Sequence, residues 1–158
     1  MTTTIGIDPG LDGALACLID GQLLDVEDMP TFTETRGRKT IRTINANGVA
    51  NILRDFALAN METPTVIIER VHAMPGQGVS SSFNFGDGYG VLRGVVATLG
   101  YPVEFVTPNA WKKAAGLTAD KGGSRRLAAQ RWPAQADLFR LVKHDGRAEA
   151  ALIAAWTL

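Results

Sequence analysis

Residues 3–7, 14–19 and 23–29 are three short apolar stretches. The segments between them, Pro9-Gly10-Leu11-Asp12-Gly13 and Asp20-Gly21, have room for turns and nothing longer. Neighbouring strands joined by tight turns run antiparallel, so the chain is expected to open as a three-stranded meander. Residues 65–68 (Thr-Val-Ile-Ile) are apolar almost throughout, the pattern of a strand covered on both faces. Ahead of them, residues 47–60 set Val49, Ile52, Leu53 and Phe56 at helical spacing. A helix over residues 88–99, with Gly90 and Gly94 one turn apart, and a strand over 103–106 follow. Past Pro108 come short helical pieces broken near Gly122-Gly123 and Pro133, then a last helix over about 145–156. The polar, basic segment 31–43 and the segment 72–84, which contains glycines and serines, lack periodicity and read as loops. A meander followed by alternating helix and strand predicts an α/β domain, one domain over residues 1–158.

Four carboxylates stand out against this framework. Asp8 closes the first strand, where a turn aspartate is a sufficient explanation for that residue alone. Glu69 directly ends the buried run Val66-Ile67-Ile68, a costly position unless a partner such as Arg70 or a cation meets it. Asp145 and Glu149 are four residues apart, roughly 6 Å along a helix and roughly 40° around it, so both project from one face. Two solvated acids near a helix N-terminus would satisfy the macrodipole equally well. The alanines and Leu152 and Ile153 around the pair instead predict a helix packed on the sheet with its acids turned inward. Taken together, four hard oxygen donors suit divalent cations of the Mg²⁺ type, and phosphodiester hydrolysis is the chemistry that two such ions serve best. No cysteine–histidine cluster argues for zinc.

Composition sets limits rather than a function. The 158 residues hold 16 basic and 16 acidic side chains. A neutral sum weighs against nucleic-acid binding, but the charges are unevenly placed. Residues 1–70 carry ten acids and six bases, and residues 71–158 six acids and ten bases. Four acids committed to metal would leave twelve against sixteen bases, a basic remainder. No apolar run approaches the ~20 residues of a membrane span. The N-terminus runs almost directly into the first strand, with no signal-peptide pattern. The one cysteine, Cys17, lies in an apolar run and reads as a buried thiol. No intrachain disulfide can form, which fits the cytoplasm of a bacterium or a phage-infected host.

The segments Ile5-Gly6-Ile7-Asp8-Pro9-Gly10, Val66-Ile67-Ile68-Glu69 and His144-Asp145-Gly146-Arg147-Ala148-Glu149-Ala150 resemble, in this order and spacing, the active-site segments of RuvC-type Holliday junction resolvases. Phe85-Gly86-Asp87-Gly88-Tyr89-Gly90 and Ser124-Arg125-Arg126 look more like the phage-encoded and chloroplast branch than the bacterial housekeeping enzymes. The first motif also occurs in sugar-kinase and actin-like proteins, but those need two such domains and a longer chain.

The resemblance implies an RNase H-like fold: a five-stranded mixed sheet, three antiparallel strands plus two parallel ones, flanked by helices. It implies a homodimer acting on branched DNA, four-way junctions above all, with two Mg²⁺ ions (or Mn²⁺) held by Asp8, Glu69, Asp145 and Glu149. In the housekeeping enzymes the last two acidic positions are three apart and end in aspartate. Here they are four apart and end in glutamate, so His144 stands beside Asp145 as an alternative ligand or as a plain surface residue. Lysines after the fifth strand approach the scissile phosphate in the family, and Lys112 and Lys121 match that region. Lys113, Arg125 and Arg126, and the loop bases Arg36, Arg38, Lys39 and Arg42, are expected on the DNA backbone or simply in solvent. His72, three residues past Glu69, falls where the family stacks an aromatic ring at the branch point. Phe83 or Phe85 is the alternative, unless both pack the following helix. Trp111, Trp132 and Trp156 are assigned to packing, and the helix over 88–99 to the dimer interface or to intramolecular packing. A less selective nuclease for branched DNA or RNA–DNA hybrids, and a catalytically silent junction-binding module, are the competing readings.

Overall fold

The computed structural model describes residues 1–157. The opening stretches form β1 (Thr3–Asp8), β2 (Ala14–Ile19) and β3 (Gln22–Asp28), paired antiparallel as the short turns require. Helix α1 (Ala46–Asn60) begins where the Asn45 side chain accepts the Gly48 amide and buries Val49, Leu53 and Phe56. Strands β6 (Thr65–Glu69) and β7 (Val103–Val106) complete a five-stranded sheet of order β3-β2-β1-β6-β7, with β6 parallel to β1 and β7 parallel to β6. The expected mixed sheet is therefore present. Helix α2 (Val79–Leu99) joins β6 to β7. After β7 come α3 (Pro108–Ala114), α4 (Gly123–Arg131), two short 3₁₀ segments and α5 (Asp145–Ala154). Among the described residues no helix is long and apolar enough to cross a membrane.

Strand alternation divides the core into two layers. Ile5 and Ile7 of β1 and Val66 and Ile68 of β6 pack beneath α1 and α2. Ile67, with Ala14, Ala16 and Leu18 of β2, packs beneath α4 and α5. Gly6 lies on this second face, and it decides how close α5 can come. A Cβ built there would stand 2.1 Å from the Ala150 carbonyl oxygen and 2.4 Å from the Ala154 amide nitrogen. The helix rests directly on the β1 backbone, its Ala150 and Ala154 replacing the larger residues that would hold two elements apart.

Two segments expected as loops are regular. Residues 31–43 fall largely within a hairpin, β4 (Thr31–Arg36) and β5 (Lys39–Ile44), forming a separate two-stranded sheet in which Arg36 pairs with Lys39 across Gly37-Arg38. Gly37 supplies the positive φ of that turn, at 63°. Hydrophobic alternation failed to reveal the hairpin because both of its faces are largely exposed. Its threonines favour extended backbone without marking a core side. Arg42 ties the hairpin to the β1–β2 turn by donating to Asp12 Oδ1 (2.9 Å) and the Leu11 carbonyl (2.7 Å). Helix α2 starts at Val79 rather than Gly88. Its first turns are built of serine, asparagine and glycine and bury little, so they carry no 3.6-residue pattern. The last helix stops at Ala154, two residues short of Trp156.

Gly6→Ala should be among the most damaging single-methyl substitutions in the chain, because the methyl meets backbone rather than a movable side chain. Overpacking of this kind should cost about 3 kcal/mol, the upper end of its usual range. Urea denaturation reads this directly, and a wild-type midpoint would mean that α5 does not bear on β1 as described.

Candidate active site

Register and parity bring the carboxylates together. Ile7 and Ile68 are neighbours in the parallel β1–β6 pair, so Asp8 and Glu69, one residue further along each strand, both turn to the α5 face. There α5 presents Glu149 and, one turn earlier, Asp145. The first turn of α5 reaches this position because residue 146 is glycine: a Cβ would lie 2.4 Å from the Asp12 carbonyl oxygen and 3.2 Å from Asp8 Oδ2. Arg147 fixes the same turn from outside through Nε and Nη2 bonds of 2.6 and 2.7 Å to the Asp28 carboxylate at the end of β3. That guanidinium holds the Asp28 carboxyl below its usual range.

The four acids differ in surroundings. Asp8 and Glu69 are the most enclosed, Glu149 is partly buried, and the Asp145 side chain is about half exposed. Burial raises the Asp8 carboxyl well above its ordinary range, and the charges of Glu149 and Glu69 raise it further, against a smaller opposing effect of Lys112. Burial also raises Glu149. Lys112 lowers it, and Glu69 and Asp145 add to the rise. Each acid except Asp8 has a donor of its own. Lys112 Nζ lies 3.7 Å from Glu149 Oε1, and Ser124 Oγ lies 3.5 Å from the same oxygen. Arg125 Nε donates to Asp145 Oδ1 at 2.6 Å. Glu69 is not paired with Arg70, whose guanidinium sits over the Phe105 ring. It accepts instead from the indole Nε1 of buried Trp111 at 2.8 Å.

With the acids so engaged, no group of three His, Cys, Asp or Glu side chains stands at metal-ligating spacing among the described residues. The donor set nevertheless fits a hard divalent cation. It consists of carboxylate oxygens, and Asp8 and Glu149 are raised first by burial and then by neighbouring acids, charge that a cation would offset.

Asp8, Lys112, Asp145 and Glu149 line an open cleft of about 1310 Å³, with Lys121 and Arg125 also on its wall. Lys113 belongs to the same wall and is exposed. Arg126 turns away and pairs with Asp120. Arg36 pairs with Glu34, whereas Arg38 and Lys39 project at the hairpin tip. His72 is exposed in the segment after β6. Phe83 is 74% exposed on α2, so it does not pack the helix, while Phe85 is half-buried near Gly10. His144 is not a surface residue. It is buried, and its Nδ1 accepts the Leu141 amide at 3.3 Å. Burial, with Arg147 and Lys143 nearby, lowers its pKa, and it lines a hollow beside Asp28 that adjoins the cleft at Asp145. Trp132 and Trp111 are buried as expected, but the hydrogen bond of Trp111 to Glu69 was missed. The signal available was a tryptophan next to Lys112, since a buried indole N–H needs an acceptor.

No family model matches the sequence. The chloroplastic Holliday junction resolvase MOC1 of Chlamydomonas reinhardtii is 28% identical over 150 residues, 84% of this chain. The match takes in 17% of that relative, so the chain spans about one sixth of its length. Thermus thermophilus RuvC in complex with a Holliday junction substrate superposes with a TM-score of 0.63 at 16% identity, covering 99% of this chain and 94% of that one. The chain has the RuvC fold. A second Thermus thermophilus RuvC structure agrees, with a TM-score of 0.56 at 15% identity over 98% of this chain and 94% of that chain. The RuvC fold is of the RNase H-like type expected from the motifs. In the present chain it puts Asp8 and Glu69 at the ends of adjacent parallel strands and the other two acids on the helix that crosses them.

Carboxyls raised by folding bind protons that the unfolded chain has released, starting from ordinary values near 3.8 and 4.5. Their contribution to stability is therefore present at low pH and is lost as pH rises through the raised values. These two carboxyls should withdraw stability from the metal-free protein as pH rises above their ordinary values, and Asp8→Asn should flatten that part of the profile and melt higher than wild type at neutral pH. Thermal melts from acid to neutral pH test it. An unchanged slope in Asp8→Asn would show that Asp8 is not held against its charge.

Proposed function

We propose that residues 1–158 form one nuclease domain that resolves four-way DNA junctions by paired symmetric nicks, through metal-dependent phosphodiester hydrolysis. The observation that carries this reading is the meeting of Asp8, Asp145 and Glu149, from β1 and α5, with Lys112 on one open cleft with basic walls, and buried Glu69 ending the neighbouring strand β6. The sequence likeness to a junction resolvase supports it. Asp8, Glu69, Asp145 and Glu149 would hold two Mg²⁺ ions, or Mn²⁺ in their place. Ions so held supply Lewis acidity and activate water for attack on phosphorus.

The chain's own contribution is charge placement. Lys112 and Arg125 neutralise Glu149 and Asp145 in the free protein. Relieved of those acids, both are placed to meet phosphate, Lys112 as the fixed cation for charge developing in the transition state. Lys113 and Lys121 on the cleft wall, with Arg126 beyond it, and Arg38 and Lys39 on the hairpin extend the cationic track for the DNA backbone. His72 or exposed Phe83 would stack on bases near the branch point.

A four-way junction has pseudo-two-fold symmetry, so two matched nicks require a two-fold homodimer. Helix α2 offers the contact: at Gly86, Gly90 and Gly94 an added Cβ would meet nothing within 4 Å, which leaves a face that a second backbone can approach closely. Buried Cys17 and the absence of other cysteines suit a reducing cytoplasm, bacterial or phage-infected.

Cleavage of a synthetic immobile junction with Mg²⁺ or Mn²⁺, beside linear duplex, fork, flap and RNA–DNA hybrid, tests the reading. Symmetric paired nicks confined to the junction are expected. Equal cutting of fork and flap would point to a general branched-DNA nuclease, and binding without cutting to a silent junction-binding module. Asp8→Asn and Glu69→Gln should each abolish cleavage and leave junction binding at least as tight, since anionic charge near phosphate is removed. Wild-type rates in either would refute the site. Gly90→Leu should turn the dimer into a monomer in analytical ultracentrifugation without altering circular dichroism. A Gly90→Leu protein that sediments as wild-type dimer would place the interface elsewhere.

A further inference from the structure

Trp111 is a fully buried residue whose polar atom bonds one of the four candidate-site acids. Its Nε1–H donates to Glu69 Oε1 at 2.8 Å, and this is the one hydrogen bond that the Glu69 carboxylate accepts among the described residues. The face of the same indole lies 5.2 Å from Lys112 Nζ, which in turn reaches Glu149. Thr107 caps α3 through the Ala110 amide, and Pro108 opens the first turn, so the position of Trp111 is set by backbone hydrogen bonding.

We infer that Trp111 is a positioning residue, whose indole N–H orients the Glu69 carboxylate while its ring face holds Lys112 beside it. The inference rests on the metal-site reading above and deepens it. A carboxylate on three rotatable side-chain bonds samples several orientations. A charge-assisted bond to one oxygen restricts it and leaves Oε2 for a second partner. A buried indole N–H needs an acceptor in any case, but here the acceptor is the site carboxylate that ends β6 and not a backbone carbonyl. The other two indoles differ in this respect: Trp132 donates to a backbone carbonyl, and Trp156 Nε1 has no partner among the described residues.

Trp111→Phe retains an aromatic face and removes only the N–H and the second ring. Isothermal titration of Mn²⁺ into the whole protein, without DNA, should show binding about 10- to 100-fold weaker, the usual loss when an outer-shell partner is removed. The melting temperature should stay near wild type and junction affinity should be unchanged. In a Glu69→Ala background, which has no acceptor for the indole, Trp111→Phe should cause no additional loss. Wild-type Mn²⁺ affinity in folded Trp111→Phe would overturn the inference, and so would an equal further loss in the Glu69→Ala background, since the indole would then act through packing. If Glu69→Gln itself leaves Mn²⁺ binding unchanged, the metal-site reading falls and the inference with it. A loss in Glu69→Gln alone would spare that reading and sink only the role of Trp111. A second measurement does not depend on the folding of Trp111→Phe: the Trp111 indole N–H resonance should shift upfield and exchange faster in Glu69→Ala, and an unmoved signal would refute the bond.

Discussion

The approach of α5 to β1 is the constraint on which the other features depend. Gly6 removes the side chain that would stand between them, Ala150 and Ala154 bring helix backbone onto strand backbone, and Gly146 lets the first turn slide over the β1–β2 turn. A conventional helix–sheet spacing of about 10 Å keeps side-chain layers between backbones. Here those layers are partly missing, and the acids of the helix are drawn to the level of the strand ends. Without that closeness Glu149 would not share an environment with Asp8, and the cleft would be a groove lined by unrelated charges.

The same closeness has an electrostatic cost. Several carboxylates are confined where burial and mutual repulsion both favour the protonated form, as the raised Asp8 and Glu149 register. Cations from the later part of the chain answer part of this. Lys112 on α3 and Arg125 on α4 reach Glu149 and Asp145, and the indole of Trp111 reaches Glu69. An overall neutral protein thus brings four of its sixteen acids to the candidate site and sets bases from the later part of the chain around them. This explains why net charge alone was a poor guide to a phosphate-binding reading.

Regular periodicity made much of the fold legible. The meander, the buried strand before Glu69 and the helix over α1 each bury one defined face, so apolar spacing reports them. The hairpin β4–β5 and the first half of α2 bury almost nothing, so their sequences contain no such record. The hairpin is held by ladder hydrogen bonds and by Arg42 on the β1–β2 turn, which are tertiary partners invisible to a pattern read along the chain. His144 shows the reverse case. A histidine beside an acid reads as a surface group, but a 3₁₀ turn buries it and uses its Nδ1 against the Leu141 backbone.

By itself, the sequence determined that Asp8 and Glu69 close their strands. Turn length makes the first strands antiparallel, and strand parity puts Asp8 and Glu69 on the face opposite Ile7 and Ile68. The four-residue spacing sets Asp145 and Glu149 on one side of a helix. These follow from local geometry, which depends on neighbours in the chain. Only the tertiary structure decided which acid meets which donor: Glu69 with an indole rather than Arg70, Asp145 with Arg125, Glu149 with Lys112. Those pairings join residues 20 to 42 positions apart in the chain, and they arise because packing on Gly6 brings α5 to the strand ends. No spacing along one element can encode that distance.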